Sequence, residues 1–120
     1  MHNNTLLTVN ASNSANSIIL DTMTLVFPEW TTLVASSSNQ ALEKANTTSI
    51  QWAFIDYDLP DTNGLELAIN FRLLYPGARI TLLAGQYNPG IHGLAAQMNV
   101  EILYKPVDER GLLSLLPKSA

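Results

Sequence analysis

The chain has 120 residues, 47% of them hydrophobic, which is enough for one hydrophobic core and too little for two ordinary domains, so we predict a single domain spanning residues 1–120. Only 13% of the residues are charged and the net charge is -4, so no basic surface exists for direct nucleic-acid binding. Cysteine is absent, which excludes disulfides and thiolate metal sites, and with neither a membrane-length apolar run nor a secretion-signal pattern we expect a cytoplasmic protein without membrane contact.

Short apolar runs alternate with helix-period segments along the whole chain. Because helices between consecutive strands force parallel pairing with right-handed crossovers, this order predicts a doubly wound α/β fold with five parallel strands. The predicted strands are residues 6–9, 31–35, 52–55, 80–83 and 102–104. The predicted helices are residues 13–26, 39–45, 63–74, 90–98 and 109–116.

Two sequence features define the predicted helices more closely. Each of four helix-period segments begins at or just after a good N-capping residue, and these predicted caps are Asn13, Ser38, Asn63 and Asn88. The fourth helix has one apolar stripe that we expect to face the core, made of Ile91, Leu94, Ala95 and Met98.

The loop after the predicted third strand concentrates functional residue types. Asp56 follows the apolar run Trp-Ala-Phe-Ile directly, Asp58 comes two residues later, and Pro60 and Gly64 punctuate the loop. Open α/β sheets place their chemistry at the carboxyl ends of the strands. Asp56 is therefore the strongest candidate functional residue, the alternative being a structural aspartate that caps the loop.

The pattern Asp-x-x-x-Pro-x-x-Asn-Gly at residues 56–64 closely resembles the phosphoacceptor loop of bacterial response-regulator receiver domains. Lys105 and Pro106 fall where that family has its lysine and the proline after it. The resemblance implies the flavodoxin-like, CheY-like (βα)5 receiver fold, and it gives Asp56 the position that accepts a phosphoryl group from a histidine kinase. It also implies an ion pair between Lys105 and Asp56 and a cis peptide bond before Pro106.

The chain departs from the family at the metal site. Two acidic residues directly after the first strand hold magnesium in receivers, and Asn10 and Ala11 stand in their places. Ala11 offers no ligand atom from its side chain, so Asp56 and Asp58 are only weak candidate metal ligands, and Asp58 has the alternative of being an exposed loop acid. We therefore predict no tightly bound cofactor and only weak binding of Mg²⁺.

The family's switch positions are also changed. Receivers have a Ser or Thr at the end of the fourth strand, which binds the phosphoryl oxygen, and an aromatic residue on the fifth strand that swings inward in response. Those positions are Ala84 and Ile102 here. Tyr104 is a nearby aromatic residue, and we expect its side chain to point to the other face of the sheet as a packing residue.

These departures favour a pseudo-receiver, which is not an enzyme and which keeps the scaffold as a binding surface. Residues 85–100 contain no charged side chain, so we predict a neutral interaction surface, with a merely polar helix as the alternative. The expected partner is a protein: a regulator output domain, a histidine kinase, an adaptor target or a second copy of the chain. The predicted surface residues are Tyr87, Ile91, Gln97 and Tyr104.

Two other functions remain open. The first is a functional phosphoreceiver that accepts a phosphoryl group on Asp56 and switches through unusual contacts. The second rests on Asp56-x-Asp58, which also resembles the nucleophile loop of haloacid-dehalogenase-type phosphatases, in which one Asp attacks phosphate and the next acts as acid and base. Pro60 stands where that class has a hydroxyl residue.

Overall fold

A computed structural model describes residues 4–116 of the chain, in which five strands alternate with five helices. The strands are β1 (Thr5–Val9), β2 (Thr31–Ala35), β3 (Trp52–Asp56), β4 (Arg79–Ala84) and β5 (Glu101–Tyr104). The helices are α1 (Asn13–Val26), α2 (Ser38–Thr47), α3 (Gly64–Leu74), α4 (Pro89–Gln97) and α5 (Glu109–Leu113). All strands pair in parallel, in the order β2-β1-β3-β4-β5, which confirms the predicted doubly wound α/β fold.

Helices cover both faces of the sheet, and each face has its own apolar cluster. On one face, Ile19 and Met23 of α1 and Leu112 of α5 pack against Phe54 of β3. The other face is covered by α2, α3 and α4, whose buried side chains include Phe71. Burial of these side chains is the main stabilising contribution, and it fixes all five strands with their carboxyl ends at one edge.

Polar side chains cap the helices close to the predicted positions. Asn63 and Asn88 cap α3 and α4 as predicted, and Asn63 accepts the backbone N–H of Glu66 at 2.9 Å. The predicted caps of α1 and α2 are each one residue late, because the hydroxyls of Ser12 and Ser37 accept the N–H three residues further on. None of the helices within residues 4–116 has the length and apolarity needed to cross a bilayer.

Two predicted helices differ from the observed ones by more than one or two residues at their ends or in which residues they bury. Leu94, placed on the buried stripe of α4, is 49% exposed, because α4 is short and lies at the side of the sheet, where Ala95 is its one fully buried residue. The fifth helix ends at Leu113 and not at residue 116. The chain turns there, so that the carbonyl of Leu115 accepts a hydrogen bond from Arg79 at 2.5 Å.

That hydrogen bond belongs to a polar network at the amino edge of the sheet, which we call the Arg79 network. The guanidinium of Arg79, at the start of β4, binds both carboxylate oxygens of Glu101, at the start of β5, at 2.7 and 3.1 Å. It also lies 4.0 Å from the ring centroid of Trp52. The hydroxyl of Thr81 donates to Glu101 at 2.6 Å and accepts from the indole N–H of Trp52 at 3.0 Å. The network thus ties three strands to the segment that follows the fifth helix.

Candidate functional site

The carboxyl edge of the sheet brings Asp56 and Lys105 into direct contact. Asp56 ends β3, and its side chain is only 7% exposed. The backbone N–H of Lys105 donates to the carbonyl of Ala84 at 2.8 Å, which extends the pairing of β4 and β5 to this point. The ammonium Nζ of Lys105 lies 2.6 Å from Oδ1 of Asp56, and the peptide bond between Lys105 and Pro106 is cis. Both the ion pair and the cis bond agree with the sequence prediction.

Asp58 gives Lys105 a second, weaker charge partner. Its Oδ2 lies 3.4 Å from Nζ, and its side chain is 75% exposed, so its position is that of a loop acid. Its backbone N–H donates to Oδ1 of Asp56 at 3.3 Å. Partial burial of Lys105 works to lower its pKa, but the hydrogen bond and charge of Asp56, with the charge of Asp58, raise the pKa above the ordinary lysine value on balance.

The loop that carries these two acids returns tightly onto the end of β3. The N–H of Gly64 donates to the carbonyl of Tyr57 at 2.7 Å. A Cβ at Gly64 would lie 2.7 Å from the carbonyl carbon of Asp56 and 2.8 Å from Cα of Tyr57, closer than real side chains approach backbone. Only glycine fits there, which explains why the loop needs it beside Asp56.

Asp61 anchors the other side of this loop. Its two carboxylate oxygens accept the backbone N–H groups of Ser38 and Asn39, each at 2.9 Å, at the start of α2. These hydrogen bonds lower the pKa of Asp61 below its ordinary value. The sequence alone does not predict this contact, because the partners lie more than twenty residues apart and no local pattern connects them.

Asn10 and Ala11, which stand where receivers have acidic residues, belong to a neutral environment. The side-chain oxygen of Asn10 accepts the N–H of Ser12 at 2.8 Å, and its carbonyl accepts from the side-chain amide of Asn16 at 3.0 Å. The hydroxyl of Thr8 donates to Asn16 at 2.8 Å. Asn10, Asn16 and Thr8 are all buried, whereas Ala11 is exposed. These bonds hold the start of α1 against β1.

These residues do not fit a magnesium site. Mg²⁺ requires octahedral oxygen ligands and gains affinity from carboxylates. Here the ammonium of Lys105 contacts both Asp56 and Asp58, and the amide oxygen of Asn10 already accepts a backbone N–H. Among residues 4–116, no three His, Asp or Glu side chains are grouped so as to hold a metal ion. Weak Mg²⁺ binding stays a prediction.

The predicted switch positions lie next to an aromatic pair. Ala84 pairs with Tyr104 in the β4–β5 register, and the ring of Tyr104 lies 6.5 Å from that of Tyr87 in the loop before α4. Ile102 packs into the core on this same face, beneath α4. The expectation that Tyr104 points to the other face is therefore wrong, because residues two apart on a strand share a face.

The predicted interaction surface is only partly continuous. Tyr87 is 64% exposed and Tyr104 is exposed beside it, while Ile91 is half-buried against the core. Tyr87 and Ile91 border one groove of about 360 Å³, together with Asp58 and Ala84. Gln97 is exposed at the last position of α4, at the other end of that helix from Tyr87. The groove places the neutral surface directly beside the loop of Asp56.

No protein-family model matches this sequence, and no curated protein matches it either. Solved structures do match. A CheY-like response-regulator receiver domain protein from Methanospirillum hungatei JF-1 is 22% identical, with a TM-score of 0.83 over 95% of this chain and 90% of that one. The chemotaxis response regulator CheY4 of Vibrio cholerae is 21% identical, with a TM-score of 0.80 over 95% and 96%. The receiver domain of NtrX from Brucella abortus is 18% identical, with a TM-score of 0.77 over 92% of each chain. The chain therefore has the fold of CheY-like receiver domains.

Proposed function

We propose that this chain is an atypical receiver domain of a two-component signalling system, acting by protein-protein contact and without normal Mg²⁺-dependent phosphorylation. The observation that carries the proposal is the surroundings of Asp56. Its charge is balanced by Lys105, while Asn10 and Ala11 supply no acid for a cation and Ala84 supplies no hydroxyl for a phosphoryl oxygen. Phosphoryl transfer concentrates negative charge on three equatorial oxygens, and a single lysine is weak compensation.

The partner in this proposal is a protein, such as an output domain, a kinase, an adaptor target or a second copy of the chain. The surface that supports it is neutral and carries exposed aromatic side chains at Tyr87 and Tyr104. Aromatic residues are enriched at protein interfaces, and charged residues are depleted at interface cores. In this proposal the domain works in the cytoplasm and catalyses no reaction of its own.

A functional phosphoreceiver is the second candidate, and one observation favours it. Nζ of Lys105 lies 2.6 Å from Oδ1 of Asp56, so a cation is already placed to stabilise charge developing at that carboxylate. Under this alternative, Asp56 accepts the phosphoryl group slowly and the signal travels through contacts other than a hydroxyl at residue 84.

Intact-mass measurement after incubation with acetyl phosphate and Mg²⁺ separates the two candidates. We expect no added phosphoryl group under conditions that label a standard receiver domain in a parallel reaction. A gain of one phosphoryl group that disappears in Asp56→Asn would overturn the proposal and support the phosphoreceiver.

Partner binding tests the other half of the proposal. In pull-downs of the native partner, Asp56→Asn should bind nearly as well as the wild-type chain. The proposed contact does not depend on the charge of Asp56. Tyr87→Glu and Gln97→Glu place a charge on the exposed neutral surface and should weaken binding. Ser17→Glu, exposed on α1 and on the other face of the sheet, is the matched control and should not. Loss of binding in folded Asp56→Asn would contradict the proposal.

A further inference from the structure

A cavity of about 330 Å³ opens beside Asp56, between the start of α1 and the segment that follows β5. Its polar side is formed by Asn10, Ser12, Asp56 and Lys105. Its apolar side includes Ile18 and Val107. The proposed function, which involves no phosphorylation, makes no use of the cavity; only the phosphoreceiver alternative would place a group at Asp56.

Two polar atoms on this cavity have no hydrogen-bond partner within residues 4–116. Oδ1 of Asn10 is occupied by the N–H of Ser12, which fixes the orientation of the amide and leaves Nδ2 free to donate. Oδ1 of Asp56 is occupied by Lys105 and by the N–H of Asp58, which leaves Oδ2 free to accept. No fully buried side-chain nitrogen or oxygen of the described chain lacks a partner, so both free atoms open onto accessible space. The side chain of Asp56 and the whole of Asn10 are otherwise more than nine-tenths buried.

The strand register places this donor and this acceptor side by side. Val9 of β1 pairs with Ile55 of β3, so Asn10 and Asp56 follow as the next pair at the end of the two strands. Side chains of such a pair point to the same face, and neighbouring strands lie about 5 Å apart. That face is the one covered by α1, where Phe54 is packed two residues before Asp56.

We propose that this cavity binds a small, uncharged molecule whose amide edge, an N–H beside a C=O, pairs with Asp56 and Asn10. The N–H donates to Oδ2 of Asp56 and the C=O accepts from Nδ2 of Asn10. The rest of the molecule is apolar and packs against Ile18 and Val107. The inference goes beyond the proposed function and does not depend on it.

Charge and size narrow the ligand class. Asp56 and Lys105 neutralise each other and Asp58 adds a negative charge nearby, so an anion is disfavoured at Oδ2. A cavity of about 330 Å³ is at the lower end of ligand pockets, which suits a single or fused ring. The apolar wall favours a molecule with a compact apolar body over a fully polar one.

The experiment uses benzamide as the probe and follows the backbone amide signals of the chain by NMR titration. We expect saturable shifts at residues on the cavity, with an affinity in the millimolar range that is usual for fragments. Benzoate, of the same shape but negatively charged, should bind at least about tenfold more weakly. Equal binding of benzoate, or shifts that do not concentrate at the cavity, would overturn the proposal.

Two variants test the donor and the acceptor separately. Asn10→Asp keeps an oxygen to cap Ser12 but removes the donor, so benzamide binding should fall about tenfold. Asp56→Asn removes one negative charge and leaves Lys105 with only its weaker contact to Asp58, so benzoate should gain affinity over the wild type. Tyr87→Glu, on the groove beside α4, should leave benzamide binding unchanged, which separates this site from the proposed interaction surface. Unchanged benzamide binding in folded Asn10→Asp would contradict the assignment.

Discussion

The two edges of the sheet connect their polar side chains differently. At the amino edge, Arg79 binds Glu101 through two hydrogen bonds, stacks over Trp52 and holds the carbonyl of Leu115. At the carboxyl edge, Asp56 has one short ion pair with Lys105, and its other carboxylate oxygen faces a cavity. In this fold the carboxyl edge is where chemistry is expected, yet the network whose side chains join three strands is at the other edge.

This difference separates what holds the fold from what a site needs. The Arg79 network uses its hydrogen-bonding groups on one another, so the cavity of about 600 Å³ that Arg79 and Glu101 border meets side chains that already have partners. The carboxyl edge leaves a donor, an acceptor and a cavity available, at a point where the strand ends are fixed by the core. A stabilising network needs its polar side chains to be paired with one another, whereas a binding site needs some of them to stay unpaired until a ligand arrives.

Arg79→Ala should have the largest effect on this comparison. The change leaves the carboxylate of Glu101 and the carbonyl of Leu115 without their partner and removes the contact with Trp52. The side chains of Arg79 and Glu101 are each about one-third exposed, so water replaces part of what is lost. We therefore expect the free energy of unfolding to fall by only about 2–3 kcal/mol. Urea denaturation at constant m-value measures this loss.

Arg110→Ala is the matched control for that measurement. Arg110 lies on α5 and is exposed, so its removal should change stability by no more than about 0.5 kcal/mol. If Arg79→Ala were no more destabilising than Arg110→Ala, the Arg79 network would contribute nothing measurable to the free energy of unfolding. The two edges would then not differ in how much they stabilise the fold.

Lys105→Met should have a smaller effect at the carboxyl edge. It leaves the carboxylate of Asp56, which is nearly buried, without its close cation. The adjoining cavity gives that carboxylate access to water, so we expect a loss of only about 1 kcal/mol at neutral pH. Asp56→Asn combined with Lys105→Met should recover part of the loss, since the unpaired charge is removed. A double-mutant cycle in urea measures the coupling.

The same ion pair predicts how stability depends on alkaline pH. The folded-state pKa of Lys105 is raised, so its contribution is fully present below the ordinary lysine pKa of about 10.4 and is lost as pH rises through the folded value. The difference in stability between the wild type and Lys105→Met should therefore be constant near neutrality and shrink above that pH. A difference that is already lost near pH 8 would contradict the predicted shift.

The sequence predicted the scaffold and the central pair of the site well, for a physical reason. Alternating apolar and helix-period segments determine which strands are parallel, and parallel strands bring residues such as Asp56 and Lys105 to one edge. The Arg79 network was missed because its members are ordinary residues that meet only after folding, Arg79 and Glu101 being 22 positions apart. The prediction for Tyr104 was wrong for a different reason. Ile102 and Tyr104 are two residues apart on one strand, so the alternation of side chains already puts both on the same face of the sheet.

Asp61→Asn should have a smaller effect than either ion-pair variant, because Asp61 is exposed. Its lowered pKa means that its contribution is present above the ordinary aspartate pKa and is lost as pH falls through the folded value. The variant should therefore be less stable than the wild type near neutrality and equal to it well below about pH 4. Asp21→Asn, an exposed change on α1, is the control for the loss of one surface charge and should leave the stability near neutrality unchanged.

Magnesium binding should give the smallest signal, and it tests whether the carboxyl edge has lost its cation site. We expect calorimetric titration of the wild type to show no saturation at low millimolar Mg²⁺, because Lys105 competes for the carboxylates of Asp56 and Asp58. Calorimetry is preferable to tryptophan fluorescence, since Trp52 begins β3 at the opposite edge. Replacing Asn10 and Ala11 by Asp in one variant adds two carboxylates directly after β1, the first of them next to Asp56, and an acid at position 10 still caps Ser12. Mg²⁺ binding should then become measurable. Tight binding by the wild type that Asp56→Ala removes would mean that the edge supports a cation without those acids, and the contrast between the two edges would no longer hold.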